Sequence, residues 1–593
     1  MKGKLIKGIY NWTFLLVMTG VVIIVNVISS YKYVRLDMTD DQRFSLAPST
    51  IEFLEDTDKL KGRINLRIYL EGKLPADLSN FRDALEDKLK EFKQYAGDRI
   101  EYQFIDPHVG TDEEKNETYA NLFDQGRGIL PMDVVYMKDG SQSQMLIWPG
   151  AVIDYGGSDV QTIQFLPGSK TGEPFQLNGM SDLIQNSINN LEYILVSSLR
   201  RATQEYKPRI GFLQGHGELK FQDTQRARAL ISPYFSITDV ELNDSIGSLD
   251  DIDGLVIARP TKPFSNKDLY LIDQFVMKGG RLMCFMDQLH VNKDTLMRRG
   301  QTHSTRYNLQ LDKLLFDYGL KLNDNLIMDV RCAPKRVPLE NQSLIPWFFH
   351  ILGTPSDHPI SRNLEPVSLE YVSEVQFVQN SETVALSPVL TSSSNSTVTG
   401  LAPLVNLLLP TTYGKNPQLV PNPESETNKK CIAGLAEGTF DSYFKNRLVS
   451  EFADNPDSKF LERSTKEGKV LVVGNGRFIQ NRYDSMPDPQ RPGVFRYRPK
   501  ALNDLQYSEE MARLNMQHYF GNQEFFQNLT DYIMGDNSVL DIRSRQIDIH
   551  EIDKEKIKRD ANFYKLLNVG LPIGIILLLA FVMNFLRKRK YAR

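Results

Sequence analysis

The stretch Gly254-Leu-Val-Ile-Ala-Arg-Pro-Thr-Lys-Pro-Phe-Ser-Asn-Lys-Asp-Leu-Tyr-Leu-Ile-Asp-Gln-Phe-Val-Met-Lys-Gly-Gly-Arg-Leu-Met-Cys-Phe-Met286 decides the fold of this chain. Its two apolar ends are typical of buried strands. Between the two strands, Ser265 and Asp268 predict the start of a helix, and Gly279-Gly280 predicts its end. Strand, helix and strand in this order, with fully apolar strands, predict a parallel sheet covered by helices.

The same pattern extends on both sides and defines a predicted α/β domain over residues 204–545. Pro208–Leu213 and Lys469–Val473 have the composition of further buried strands. Residues 331–467 are rich in Pro, Ser, Asn and Thr and contain short strand-like pieces, so they predict a β-rich insertion.

Residues 40–203 predict a separate α/β domain with the order β-α-β-α-β-β-α. The alternation in Ile64–Leu70 and Ile100–Ile105 is typical of strands, and Ser79–Tyr95 has the spacing of an amphipathic helix. This order is that of a thioredoxin-like domain, but the Cys-x-x-Cys motif is absent. A structural role is therefore favoured over redox catalysis.

The two ends of the chain are apolar and uncharged over long stretches. They predict transmembrane helices at residues 9–31 and 566–586, each long enough for a bilayer. Short basic tails at 1–8 and 587–593 place both termini in the cytoplasm by the positive-inside rule, and a juxtamembrane helix is predicted at 546–565. The main block would then lie in the periplasm. Asn26, Pro572, Gly574 and Asn584 are candidates for packing of the spans against neighbouring helices, and the alternative is that they are simply tolerated in membrane anchors.

Composition excludes two classes of protein. The formal net charge of the 593 residues is −4, which leaves no basic footprint for nucleic acid. Three cysteines cannot form a disulfide framework. Cys284 lies in an apolar strand, whereas a pairing of Cys332 with Cys431 is left open.

Polar residues follow the predicted parallel strands, where such sheets bind their ligands. They are Gln214, Gly215, His216, Gly217, Glu218, Arg259 and Asp287. His216 and Glu218 have the chemistry of a base and a carboxylate partner, with His290 as a further metal candidate. The alternative is a tight turn in which these side chains make local hydrogen bonds. We expect no catalytic residue, metal or cofactor.

Two enzymatic classes lack their motifs. No segment has the glycine and lysine spacing of a P-loop, so ATP hydrolysis would have to come from a partner. A glutamine amidotransferase needs a thiolate at a strand-to-helix turn, where this chain has Asp287-Gln288.

Four segments carry a resemblance to a known family. Phe212-Leu-Gln-Gly-His-Gly-Glu218, Ala258-Arg-Pro-Thr-Lys-Pro-Phe264, Ile272-Asp-Gln-Phe-Val-Met-Lys-Gly-Gly-Arg281 and Val472-Val-Gly-Asn-Gly-Arg-Phe478 resemble the GldG-type gliding-motility proteins of Bacteroidetes. That family is described as an auxiliary, substrate-binding component of an ABC transporter. The resemblance implies that the second domain has a degenerate amidotransferase or flavodoxin-like sheet and that the protein resides at the inner membrane. It also implies a multispan permease and a cytoplasmic ATPase as partners, and a role in gliding or protein secretion.

The leading hypothesis is therefore a non-enzymatic, membrane-anchored auxiliary subunit of an ABC-type complex. Its periplasmic domains would bind a protein partner or relay motion. The alternative is a periplasmic ligand-binding receptor, or a divergent hydrolase or transferase, that uses the loop Gln214–Glu218.

Overall fold

A computed structural model describes the main part of the chain and segments of its ends. The described residues are 17–21, 24, 45–123, 128–138, 141–156, 161–166, 175–177, 181–336, 344–362, 364–415, 425–447, 459–487, 491, 493–500, 502, 520–535, 539–543 and 561–591. The chain divides into a main unit, Phe44–Arg545, and a terminal unit made of Met1–Arg43 and Gln546–Arg593.

The elements are numbered in chain order. The helices are α1 Pro48–Glu55, α2 Ala76–Ala96, α3 Asp112–Phe123, α4 Ser181–Asn189, α5 Leu191–Thr203, α6 Phe221–Ile231, α7 Asn266–Met277, α8 Lys293–Arg299, α9 Leu311–Asp317, α10 Leu409–Lys415, α11 Asn522–Met534, α12 Leu540–Arg543 and α13 Ala561–Tyr591. The strands up to the middle of the chain are β1 Ile64–Ile68, β2 Ile100–Phe104, β3 Met132–Lys138, β4 Ser141–Ile147, β5 Gly150–Tyr155, β6 Gln161–Gln164, β7 Phe175–Gln176, β8 Arg209–Gln214, β9 Ser236–Glu241, β10 Gly254–Ala258, β11 Arg281–Phe285, β12 Leu289–His290, β13 Gln301–His303 and β14 Thr305–Arg306. The remaining strands are β15 Leu320–Leu322, β16 Ile327–Asp329, β17 Cys332–Arg336, β18 Leu344–Pro355, β19 Val367–Glu370, β20 Val375–Phe377, β21 Val384–Thr391, β22 Ser396–Val398, β23 Leu404–Asn406, β24 Cys431–Gly438, β25 Gly468–Val473, β26 Tyr483–Pro487 and β27 Phe495–Pro499.

The ends of the chain correct the predicted fold class. Among the residues that the structure describes, no helix combines the length and apolar character needed to cross a bilayer. Helix α13 holds Pro572 in its interior, and Asn568 and Asn584 add side-chain amides to the same stretch. The absence of such a helix among the described residues contradicts the predicted transmembrane helices at 9–31 and 566–586.

The first part of the main unit has its own core around the order β2-β1-β5-β6. Strand β1 pairs parallel with β2 and antiparallel with β5. Helix α2 buries the apolar stripe that its spacing predicts, including Phe81, Leu85 and Phe92. The hairpin β3–β4, predicted as the third and fourth strands of this domain, instead forms a separate small sheet with β7. Strands β5 and β6 complete the four-stranded sheet instead. The assignment of this part as a thioredoxin-like domain stays a prediction.

The second part is built on a larger sheet with the order β17-β18-β21-β24-β25-β11-β10-β8-β9. Strands β9, β8, β10, β11 and β25 run parallel. Strand β24 pairs antiparallel with β25, so the strands of residues 331–467 continue the same sheet. Mixed α/β architecture is thus present, and the predicted β-rich insertion forms the antiparallel half of the sheet. The carboxyl ends of β8, β10, β11 and β25 lie along one edge.

Candidate strand-end site

The loop after β8 folds against the loop after β10. The carbonyl of His216 accepts hydrogen bonds from the backbone N–H groups of Thr261 and Lys262, at 2.8 and 2.9 Å. The N–H of Leu219 donates to the carbonyl of Ala258 at 2.9 Å. Gly217 has a φ of +77°, and a Cβ atom there would lie 2.1 Å from Thr261 Oγ1. The glycine is therefore needed for the close approach of the two loops.

His216 is held between two carboxylates. Its Nε2 lies 3.1 Å from Asp268 Oδ2, and its Nδ1 lies 3.4 Å from Glu218 Oε1. The ring stacks on Phe264 with 4.0 Å between centroids. Burial acts to lower the pKa of His216, but the interactions with Asp268 and Glu218 outweigh it and raise this pKa to about 9. The imidazole is therefore protonated at neutral pH and offers no lone pair to a metal or a substrate proton.

The other polar groups of the loop also bind within it. The side chain of Glu218 is fully buried, and its Oε2 accepts the backbone N–H of His216 at 2.7 Å. The amide of Gln214 donates to the carbonyls of Leu213 and Leu219. This geometry matches the tight turn that was the alternative interpretation, whereas a ligand contact at Gln214–Glu218 stays a prediction.

Arg259 and Asp287 meet at the ends of β10 and β11. Arg259 Nε donates to Asp287 Oδ2 at 3.1 Å, and Arg259 itself has a φ of +54°. The N–H of Gly476, after β25, donates to Asp287 Oδ1 at 2.7 Å. Arg477 Nε lies 3.8 Å from the same carboxylate. Asp287 thereby joins the ends of three neighbouring strands.

The candidates thus form two neighbouring clusters. The residues Gln214, Gly215, His216, Gly217 and Glu218 form one with Asp268 and Phe264, and Arg259 and Asp287 form the other with Gly476 and Arg477. Sequence reasoning identified Asp268 only as a helix cap, and Gly476 and Arg477 only as part of a strand-end turn. The signal that could have connected them is their common position just after parallel strands.

The remaining candidates have other surroundings. His290 Nδ1 lies 2.8 Å from the Tyr307 hydroxyl, and burial lowers its pKa. Within the described segments, no group of three His, Cys, Asp or Glu residues could hold a metal ion. Cys284 is fully buried, which raises the pKa of its thiol far above the usual range. Cys332 and Cys431 are free thiols.

The candidates at the chain ends belong to the terminal unit. Pro572, Gly574 and Asn584 lie in α13, and Asn26 lies outside the described residues. A role for these four in helix packing stays a prediction.

Another cavity of the main unit lies away from both clusters. It measures about 670 Å³ and opens beside α9 and the segment around Leu401. Among its charged side chains, Arg306 pairs with Asp312 and Asp324, and Arg447 pairs with Asp317. Lys313 and Lys321 also line it.

Three comparisons with known proteins find similarities of low information about function. A curated relative in Borreliella burgdorferi, an uncharacterized protein, is 22% identical over 422 residues, which cover 69% of this chain and 71% of that protein. The solved structure of the mmIFT52 N-terminal domain aligns with 56% of this chain and 98% of its own length, at 10% identity and a TM-score of 0.31, which does not establish a shared fold. Residues 40–154 match a model of a domain of unknown function.

A further family model matches residues 207–509, which include both strand-end clusters and the large sheet. Its description is an ABC-type uncharacterized transport system, and its members are auxiliary components of such systems. Because the match covers just over half of the 593 residues, the chain belongs to this family of ABC-type transport system auxiliary proteins.

Proposed function

We propose that the chain is a non-enzymatic auxiliary subunit of an ABC-type transport complex, in which its main unit binds a protein partner. The observation that carries the proposal is the closed strand-end loop. Glu218 and Asp268 raise the pKa of His216 to about 9, which disfavours a role for its ring as a base at neutral pH. A loop whose polar groups bind each other serves to fix the shape of a surface.

The partners in this proposal are a multispan permease and a cytoplasmic ATPase. The family membership supports association with ABC transporter components. The absence of a P-loop in the sequence supports a separate ATPase, because the phosphates of ATP need that backbone arrangement. The resemblance to GldG-type proteins supports a periplasmic location at the inner membrane and a role in gliding motility.

The test is purification of the tagged full-length chain from native membranes in a mild detergent, followed by mass spectrometry. We expect an ATPase and a multispan permease to copurify in fixed ratio. Recovery of the folded chain without either protein would contradict the proposal. Protease treatment of spheroplasts then tests the location, since a periplasmic main unit would be cleaved before the cells are lysed.

A matched pair of variants separates the scaffold from the enzyme alternative. His216→Gln and Glu218→Gln keep the size of each side chain while removing its charge. An enzyme would lose transport or motility although the complex still assembles. For a scaffold, we expect any loss of function to follow the loss of assembly.

A further inference from the structure

We propose that a second, smaller cavity in the main unit is a binding site for a compact phosphate-bearing anion. The cavity measures about 240 Å³ and is bounded by β18, β19, the segment after β25 and the first residue of α11. It adjoins the Arg259–Asp287 cluster through Arg477 but involves none of the predicted site residues. The inference goes beyond the proposed function and does not depend on it.

The charge of the cavity favours an anion. Among the described residues, its lining contains Lys293, Arg477 and Arg482 together with the carboxylate of Glu370, so cationic groups outnumber anionic ones there. Lys335 Nζ adds a further positive charge 3.9 Å from Glu370 Oε1. Arginine and lysine are the side chains that bind phosphate, with arginine able to form two parallel hydrogen bonds.

Glu370 stays ionised and does not cancel this excess. Burial acts to raise its pKa, but Lys293, Lys335 and Arg482 outweigh burial and hold the pKa well below its usual range. The neighbouring positive charges also affect Lys335. Burial lowers the pKa of Lys335, and repulsion from Lys293, Arg482 and Arg477 lowers it further. A phosphate group would relieve this repulsion.

A buried histidine supplies the second observation. His350 lines the cavity and is 1% exposed, and burial lowers its pKa to about 4, so the ring is neutral at pH 7. Its Nε2 lies 2.7 Å from Ser368 Oγ. Its buried Nδ1 lies 3.8 Å from Glu370 Oε1, beyond hydrogen-bond distance, and has no hydrogen-bond partner among the described residues. We assign the Ser368 hydroxyl as the donor, which leaves the ring proton on Nδ1. A phosphate oxygen would satisfy this donor.

The walls of the cavity are held in place before any ligand arrives. The side chain of Asn522 bonds both the N–H and the carbonyl of Ser368, each at 2.9 Å, and Asn475 Nδ2 donates to the carbonyl of Glu370. Asn522 also begins the 13-residue helix α11, whose N-terminal end carries a partial positive charge. A preformed positive site binds an anion without a large ordering cost.

The size and lining narrow the ligand further. A volume of about 240 Å³ is several times the roughly 30 Å³ that one water occupies, and slightly below the range of about 300–1,000 Å³ for larger ligands. Phe478, Leu502 and Phe520 add apolar contact surface. A small phosphate monoester fits this combination better than a bare ion does.

The test uses the full-length chain with glycerol 3-phosphate and inorganic phosphate as probes, and glycerol as the neutral control, measured by isothermal titration calorimetry. We expect saturable binding of glycerol 3-phosphate, weaker binding of inorganic phosphate and none of glycerol. Arg477→Gln and Arg482→Gln should each weaken binding at least tenfold. Arg463→Gln, an exposed arginine outside the cavity, should leave binding unchanged.

Two further variants distinguish a loss of binding from a loss of stability. Glu370→Gln removes a carboxylate of the lining, so we expect it to strengthen binding, an effect that simple destabilisation would not produce. Arg482 is exposed, so its variant should fold even if the loss of Arg477 disturbs Asp287. Absence of saturable binding in the wild type, equal loss in Arg463→Gln, or binding to phosphatidic acid vesicles but not to glycerol 3-phosphate would overturn the proposal.

Discussion

His216 links a single ionisation to the stability of the strand-end loop. Its pKa rises from 6.5 to about 9 in the folded chain, so the stabilising charge is fully present below pH 6.5 and is lost as the pH rises through 9. At 1.36 kcal/mol per unit and with allowance for solvent screening, we expect about 2 kcal/mol of unfolding free energy to disappear over this range.

Urea unfolding of the wild type and of His216→Gln at pH 6, 7.5 and 9.5 checks this. The wild type should be more stable than the variant by about 2 kcal/mol at pH 6, and the difference should shrink towards zero at pH 9.5. Other groups that titrate in this range are common to both chains and cancel in the difference. A difference that does not change with pH would show that His216 is not the responsible group.

At the scale of elements, Asp273 connects α7 to the segment after β24. Its carboxylate is 0% exposed and accepts hydrogen bonds from Tyr318 Oη at 2.8 Å, Ser442 Oγ at 2.6 Å and the N–H of Tyr443 at 3.0 Å. Asp273→Ala would leave these donors buried without an acceptor. We expect a loss of about 3 kcal/mol in unfolding free energy.

The matched control for Asp273 is Asp250, whose exposed carboxylate pairs with Lys278 at 2.6 Å. Asp250→Ala should cost at most about 0.5 kcal/mol, because surface ion pairs contribute little. Chemical denaturation of both variants measures the contrast. Similar losses in the two would mean that burial of Asp273 does not determine its contribution.

The elements differ in how far the sequence predicts them. Strands β8, β10 and β11 are predictable because they are buried on both faces and have continuous apolar runs. The edge strand β9 was missed because Ser236–Glu241 is polar and largely exposed. The hairpin β3–β4 forms a separate sheet with β7, which the sequence does not predict, because strand pairing depends on tertiary contacts that a local pattern does not contain.

The same reasoning applies to the candidate site. The loop after β8 was predictable from its glycines and its position after a strand. Its partners are Phe264, in the loop after β10, and Asp268, in the first turn of α7, about fifty residues further on. Only the parallel pairing of β8 with β10 brings them together. The 240 Å³ cavity is lined by several segments that are distant in the sequence, so no single motif predicts it.

At the scale of the main unit, α11 and the residues after it connect the first part to the second. Val539 and Ile542, after α11, are buried among the residues of the first core. Arg200 of α5 contacts Asp531 of α11 at 3.1 Å, and both side chains are 4% exposed. We therefore expect the two parts of Phe44–Arg545 to unfold together.

A double-mutant cycle on this pair tests the coupling between the parts. Arg200→Met alone leaves a buried carboxylate without its cation, so we expect a loss of about 3 kcal/mol, and Asp531→Leu alone should be similarly damaging. The double variant should recover part of the loss, because no unpaired charge remains, and the coupling energy should exceed about 2 kcal/mol. The exposed pair Lys61–Glu205, 3.3 Å apart, serves as the control and should couple by less than about 0.5 kcal/mol.

Hydrogen exchange followed by mass spectrometry locates the effect within the molecule. If the parts unfold together, Arg200→Met should accelerate exchange in α2 as well as in α11, although α2 belongs to the first core and α11 to the second. The variant of the exposed control, Lys61→Met, should change exchange only near its own site. Acceleration confined to α11 would mean that the first part is stable without the second, and that the contacts of Arg200, Val539 and Ile542 do not couple them.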